Sequence, residues 1–116
     1  MTAEGSIFHK IVLGEVPAEI VYKDEWVTAF NDIRPVAPVH VLVVPNVPVE
    51  SLQQLTEEHR AYAAGLLLAI PKIAAQLGIA ESGYRVIANS GPDSRQEVPY
   101  LHLHIIGGRM MQHPLG

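Results

Sequence analysis

The chain has 116 residues, with eight Lys and Arg against twelve Asp and Glu and a formal net charge of -4. One hydrophobic core usually serves ~100–200 residues, so residues 1–116 are read as a single domain, and 48% hydrophobic with 17% charged residues argues against disorder. The acidic balance disfavours a nucleic-acid partner. The absence of Cys excludes a disulfide scaffold, a thiol nucleophile and a thiolate metal site.

In chain order, Ser6–Leu13 reads as a short amphipathic helix with Ile7, Phe8, Ile11 and Val12 on one side, stopped by Gly14. Ile20–Tyr22 and Val27–Phe30 are β-rich pieces flanking the polar Lys23-Asp24-Glu25, a hairpin signal. His40–Val44 is a third strand, ended by Pro45-Asn46, and Ser51–Leu55 makes one helical turn. Thr56 is an N-cap for a helix over Glu57–Leu77, with Glu57 and Glu58 near its positive end and Gly78 as its stop. Pro71 lies inside that helix and is expected to kink or divide it. Gly83–Asn89 is a strand, Ser90–Pro99 a polar loop, and Tyr100–Ile106 a final strand closed by Gly107-Gly108. Grouped strands with few helices predict an α+β fold with an antiparallel sheet of about five strands. The longest apolar run, inside Ala61–Ile70, is too short to span a bilayer. Met1–Ser6 lacks a signal-peptide pattern, so a cytoplasmic location away from membranes is the expectation.

The final strand carries the chemistry. Side chains alternate faces along a strand, which puts Leu101, Leu103 and Ile105 on one side and Tyr100, His102, His104 and Ile106 on the other. Two neighbouring imidazoles must titrate together. Three readings of the pair compete: a zinc site completed by a third His such as His40; phosphoryl or nucleotidyl transfer with one His as nucleophile; and two half-exposed histidines on a sheet. His40 starts the third strand on the face of Leu42 and Val44. His59, between Glu58 and Arg60, reads as part of a solvated helix face, while His9 and His113 have no supporting pattern. Asp32, in Asn31-Asp32-Ile33-Arg34-Pro35, is either a turn former or an acceptor for a ribose diol. The loop Asn89–Glu97 offers Asn, Ser and Arg donors to a phosphate but lacks a P-loop pattern.

Tyr100-Leu101-His102-Leu103-His104-Ile105-Ile106 resembles the histidine-triad (HIT) motif, His-φ-His-φ-His-φ-φ with φ apolar. Ser6–Ile11, Gly14–Ala18 and Ala29–Pro45 resemble the corresponding blocks of its HINT-like branch, in the same order along the chain. The resemblance implies a homodimer with joined sheets that binds purine nucleotides and cleaves nucleoside phosphoramidates or aminoacyl adenylates, without metal or cofactor. His102 falls on the nucleophile position, with its Nδ1–H held by the main-chain carbonyl of residue 100. His104 and His40 fall on positions that offer charge or N–H groups to the phosphate and leaving group. Asp32 matches the ribose-binding acid, with Phe8, Ile11, Val16, Phe30 and Ile33 around the base. Asn89, Arg95, Gln96 and Glu97 fall on the phosphate loop.

The chain departs from the pattern on the leaving-group side. Tyr100 replaces the first triad His, and Pro99 precedes it. Arg95 and Glu97 stand where the family has Gly and a hydroxyl residue, and His113 where a C-terminal Trp is common. Glu97 repels phosphate, with Arg95 placed to compensate, or selects a cationic leaving group. A nucleotide-binding protein without catalysis is the rival function, and a dinucleoside polyphosphate hydrolase a second.

Overall fold

The computed structural model describes residues 2–112; His113, the counterpart of the family's C-terminal Trp, lies outside them. Ser6 caps the first helix, α1 (Ile7–Val12), by accepting the His9 N–H on its hydroxyl. Phe8, Ile11 and Val12 are buried, but Ile7 is exposed, so the apolar side is narrower than the sequence implied. The chain then forms the hairpin β1 (Ile20–Lys23) and β2 (Val27–Asn31). Its turn is fixed by Asp24, whose Oδ1 accepts the Trp26 and Val27 N–H groups at 2.8 and 2.9 Å. Strand β3 (Val39–Pro45) follows, then a 3-10 turn at Leu52–Gln54.

The long helix starts later than expected. Glu57–His59 form a 3-10 turn and α2 runs over Arg60–Gln76. The Thr56 N–H donates to His59 Nδ1, so His59 serves that turn instead of simply facing solvent. Pro71 does not divide α2. It lies on the exposed side with Leu67 and Leu68, where water can take the carbonyl it leaves unpaired. Gly65 brings the helix against the hairpin: a Cβ there would sit 2.6 Å from Trp26 Cβ. Strand β4 (Tyr84–Ile87) and a loop containing a 3-10 turn at Pro92–Ser94 lead to β5 (Leu103–Gly107).

All pairings are antiparallel, and the strand order is β1-β2-β3-β5-β4, the α+β arrangement expected. Alternation gives the sheet two different faces. Val27, Ala29, Val41, Val43, Leu103 and Ile105 pack with Leu66, Ile70 and Ile73 of α2 in the main core. Phe30, Leu42 and Val44 point the other way, to Phe8, Ile11 and Val12 of α1 and to Tyr100. The histidines lie on this second face.

The last strand begins three residues after the expected Tyr100. The Tyr100 N–H donates to the Val98 carbonyl and the Leu101 N–H to the Val49 carbonyl, so neither is available to β3. The in–out alternation nevertheless persists through this segment: Leu101 joins the main core and Tyr100 the second cluster. No helix among the described residues is long and apolar enough to cross a membrane.

Candidate active site

His40 stands opposite Ile106, and His104 opposite Leu42, in the β3–β5 ladder. The two histidines are therefore diagonal neighbours on one face, within reach of each other. His40 Nε2 and His104 Nδ1 lie 2.9 Å apart. His102 follows the same alternation one step earlier, with its ring 5.0 Å from that of His104. Phe8 packs edge-on against His102 at 5.0 Å and against Phe30 at 5.4 Å, so α1 roofs His102. His102 is only 6% exposed.

The hydrogen bonds determine which nitrogens carry protons. His102 Nδ1 is 2.7 Å from the Tyr100 carbonyl, which can only accept, so Nδ1 bears the hydrogen and Nε2 keeps its lone pair. The Val36 N–H donates to His40 Nδ1 at 3.1 Å, which puts the His40 hydrogen on Nε2. His40 Nε2–H then donates to His104 Nδ1, leaving His104 with its hydrogen on Nε2. The result is one free lone pair, on His102, beside an N–H donor on His104.

Burial lowers the pKa of all three histidines. For His40 it outweighs the pull of Asp32, and for His102 it outweighs the Tyr100 carbonyl and Asp32. His104 is pushed down to about 4, first by burial and then by the neighbouring His102 and His40. At neutral pH in the free chain these rings therefore offer N–H groups and lone pairs, not positive charge.

This has a consequence for stability. Unfolded histidines protonate near 6.5, whereas the folded ones resist protonation down to about 4 in the case of His104. Between those values the unfolded chain binds more protons, so stability present above pH 6.5 is lost as the pH falls. Thermal melting followed from pH 7 to pH 4.5 is expected to show a falling Tm, with a shallower fall in His104→Asn. A Tm independent of pH over that range would contradict the assignment of three neutral rings.

A cleft of about 420 Å³, within the range of small-molecule sites, adjoins the histidines through Phe8, which packs on His102, and Asp32, which lies by His40, while His40, His102 and His104 themselves are not on its wall. Its wall includes Phe8, Ile11, Val16, Phe30, Asp32, Ile33 and Glu97, seven of the residues singled out from the sequence, together with Leu42 and Val98. Two hollows of about 370 and 390 Å³ near Glu50 and Gln54 have no Phe, Tyr or Trp in their walls. Asp32 has both roles open to it: Oδ1 accepts the Arg34 N–H at 2.8 Å as a turn former, and Oδ2 lies 3.4 Å from His40 Nε2 at the cleft.

Asn89, Arg95 and Gln96 are not on the cleft wall. Asn89 follows β4; carrying the Ile87↔His104 register on by two residues brings it level with His102. Arg95 is exposed, with a left-handed φ of 65° that suits the Gly it replaces. The Gln96 amide is engaged by main-chain groups, tying its loop to the segment before the Leu52–Gln54 turn. It donates to the Glu50 and Val98 carbonyls and accepts the Gly91 N–H.

Asp32, His40 and His104 bring potential ligand atoms within 4.8 Å of one another, a donor set by type suited to a divalent ion. This set differs from the one considered from sequence, because Asp32 takes the place of His102. The His40–His104 hydrogen bond occupies the two nitrogens that face each other, so a metal would have to replace it. His9 was missed by sequence pattern. Its ring stacks on Tyr100 with centroids 6.0 Å apart, a contact between residues too distant in the chain to leave a local signal.

Comparison with known proteins gives the chain's relatives. The HIT domain family matches residues 13–111. A purine nucleoside phosphoramidase of Escherichia coli (strain K12) is 45% identical, over 98% of this chain and 92% of its own. Among solved structures, a histidine triad protein from Clostridium difficile superposes with a TM-score of 0.92 at 41% identity, covering 98% of this chain and 99% of its own. A HIT family hydrolase from Legionella pneumophila Philadelphia 1 superposes with a TM-score of 0.91 at 38% identity, covering 95% and 98% of the two chains.

Proposed function

Because the chain belongs to the HIT domain family, we propose that it is a purine nucleoside phosphoramidase acting through a nucleotidyl-histidine intermediate on His102. The observation that carries this reading is the tautomer set by the Tyr100 carbonyl, which leaves the His102 Nε2 lone pair free. The similarity to a purine nucleoside phosphoramidase supports the substrate class.

In this reading Phe8, Ile11, Val16, Phe30 and Ile33 hold the purine in the cleft, and Asp32 accepts hydrogen bonds from the ribose. His102 Nε2 attacks the α-phosphorus, the P–N bond breaks, and the amine departs with a proton from water. The Tyr100 carbonyl stabilises the positive imidazole ring that the attack creates, because its bond to Nδ1–H strengthens as charge develops. His104 Nε2–H donates to the negative charge growing on the phosphate or leaving nitrogen, and His40 holds His104 in the donating tautomer. Water then cleaves the P–Nε2 bond, releasing the nucleotide and restoring the lone pair. Asn89 and Arg95 serve the phosphate from the adjoining loop, while Gln96 braces that loop. Glu97 lies at the rim. A homodimer would complete the assembly.

A test is steady-state hydrolysis of an adenosine 5′-phosphoramidate with a fluorogenic amine, alongside calorimetric titration with AMP. Turnover with AMP as a competitive inhibitor is expected. AMP binding without turnover would instead establish the rival reading, a nucleotide-binding protein that Tyr100, Arg95 and Glu97 have made inactive.

A further inference from the structure

Tyr100 replaces a histidine of the motif, and its side chain occupies an unusual position for a residue at the edge of a strand. The ring is fully buried. Its hydroxyl donates to the Pro45 carbonyl, at the end of β3. The last β3–β5 pair is Val43↔Leu103, so this bond lies beyond the ladder, where the Tyr100–Leu101 peptide is already held on its N–H side by the Val49 carbonyl at 2.7 Å. The same residue's carbonyl holds His102 Nδ1–H at 2.7 Å. From α1, His9 stacks on the Tyr100 ring while the adjacent Phe8 packs on His102.

We propose that the Tyr100 side chain is a positioning residue: its hydroxyl, anchored on the Pro45 carbonyl, acts with the Leu101 N–H bond to Val49 to fix the main-chain carbonyl that selects the reactive tautomer of His102. This rests on His102 being the nucleophile. Without the hydroxyl anchor the peptide can pivot about its Leu101 N–H bond, and the carbonyl then shifts away from Nδ1. The His102 hydrogen would then be free to move to Nε2, where it blocks attack. Burial also pushes the phenol's pKa up, so the hydroxyl remains a donor throughout the working pH range.

The test compares two replacements without a donor, Tyr100→Phe and 4-methylphenylalanine at position 100, with 4-aminophenylalanine, which restores an N–H near the Pro45 carbonyl. The second donor-free residue fills the space of the lost hydroxyl, so a cavity is not the cause of any change it produces. Nitrogen-15 NMR of the His102 ring reads the tautomer without requiring activity, and kcat and KM are measured on the phosphoramidate. Folded donor-free variants are expected to show mixed His102 tautomers and a kcat about 10- to 100-fold lower, with KM within about twofold. The amino analogue is expected to recover both.

A folded donor-free variant with a single Nδ1–H tautomer and wild-type kcat would overturn the proposal. Failure of both donor-free variants to fold would also overturn it, by making the hydroxyl a folding group alone. If His102→Ala kept full turnover, the nucleophile reading would fall separately, while the tautomer shift would still report on the anchor.

Discussion

Alanine in place of His102 is expected to lower kcat for an adenosine phosphoramidate by ~10³-fold or more, while AMP affinity stays within a few-fold of wild type. The asymmetry follows from the geometry. In the proposed reading the purine lies against Phe8, Ile11, Val16 and Phe30, held on α1, on β2 and on the segment between α1 and β1. His102 meets this wall at the edge of Phe8. Removing its ring deletes the nucleophile and leaves most of the nucleoside contact area in place. The variant's Tm must be measured beside its kinetics, because a ring that is 6% exposed leaves a cavity when truncated. A folded His102→Ala protein with more than a tenth of wild-type kcat would exclude His102 as nucleophile.

His104→Ala is expected to cost ~10²–10³-fold in kcat, the usual loss when one positioned donor to a developing negative charge is removed. The size of the loss should depend on the leaving group. An alkylamine leaves with more charge to stabilise than an aryl oxide, so the loss should be greater for an alkyl phosphoramidate than for the p-nitrophenyl ester of AMP. Equal losses for the two substrates would place His104 on the non-bridging phosphate oxygens instead of the leaving atom. His40→Ala is the useful companion, because His40 Nε2 bonds His104 Nδ1 and lies 3.4 Å from Asp32 Oδ2.

Much of this site was legible because period-two alternation survives local irregularity. Leu101, Leu103 and Ile105 face α2, and the intervening residues face α1, although regular pairing starts only at Leu103. Phe8, Phe30 and Asp32 were legible through the resemblance, and the cleft brings them together. The start of β5 was not legible, because it depends on where two backbone N–H groups go: those of Tyr100 and Leu101 turn to Val98 and Val49. Nor could sequence show that the Val36 amide fixes the His40 tautomer, or that the Tyr100 hydroxyl reaches a carbonyl 55 residues away. Both are contacts to main chain, which carries no residue-type signature. The Gln96 amide illustrates the converse: its residue type fits a phosphate donor, yet it is taken up by the Gly91 N–H and the Glu50 and Val98 carbonyls. Pro71 is tolerated inside α2 on the helix's exposed side, a distinction that depends on which face packs.

The most direct test of a nucleotidyl-histidine is to find it. The protein is mixed with an adenosine phosphoramidate, quenched within one turnover in denaturant at alkaline pH to preserve the P–N bond, digested and mapped by mass spectrometry. The expected result is an adenylyl adduct confined to the peptide containing His102, absent from His102→Ala and chased away by further incubation in water. Turnover without that adduct, or with the adduct on His104 or His40, would contradict the assignment of His102 as the nucleophile.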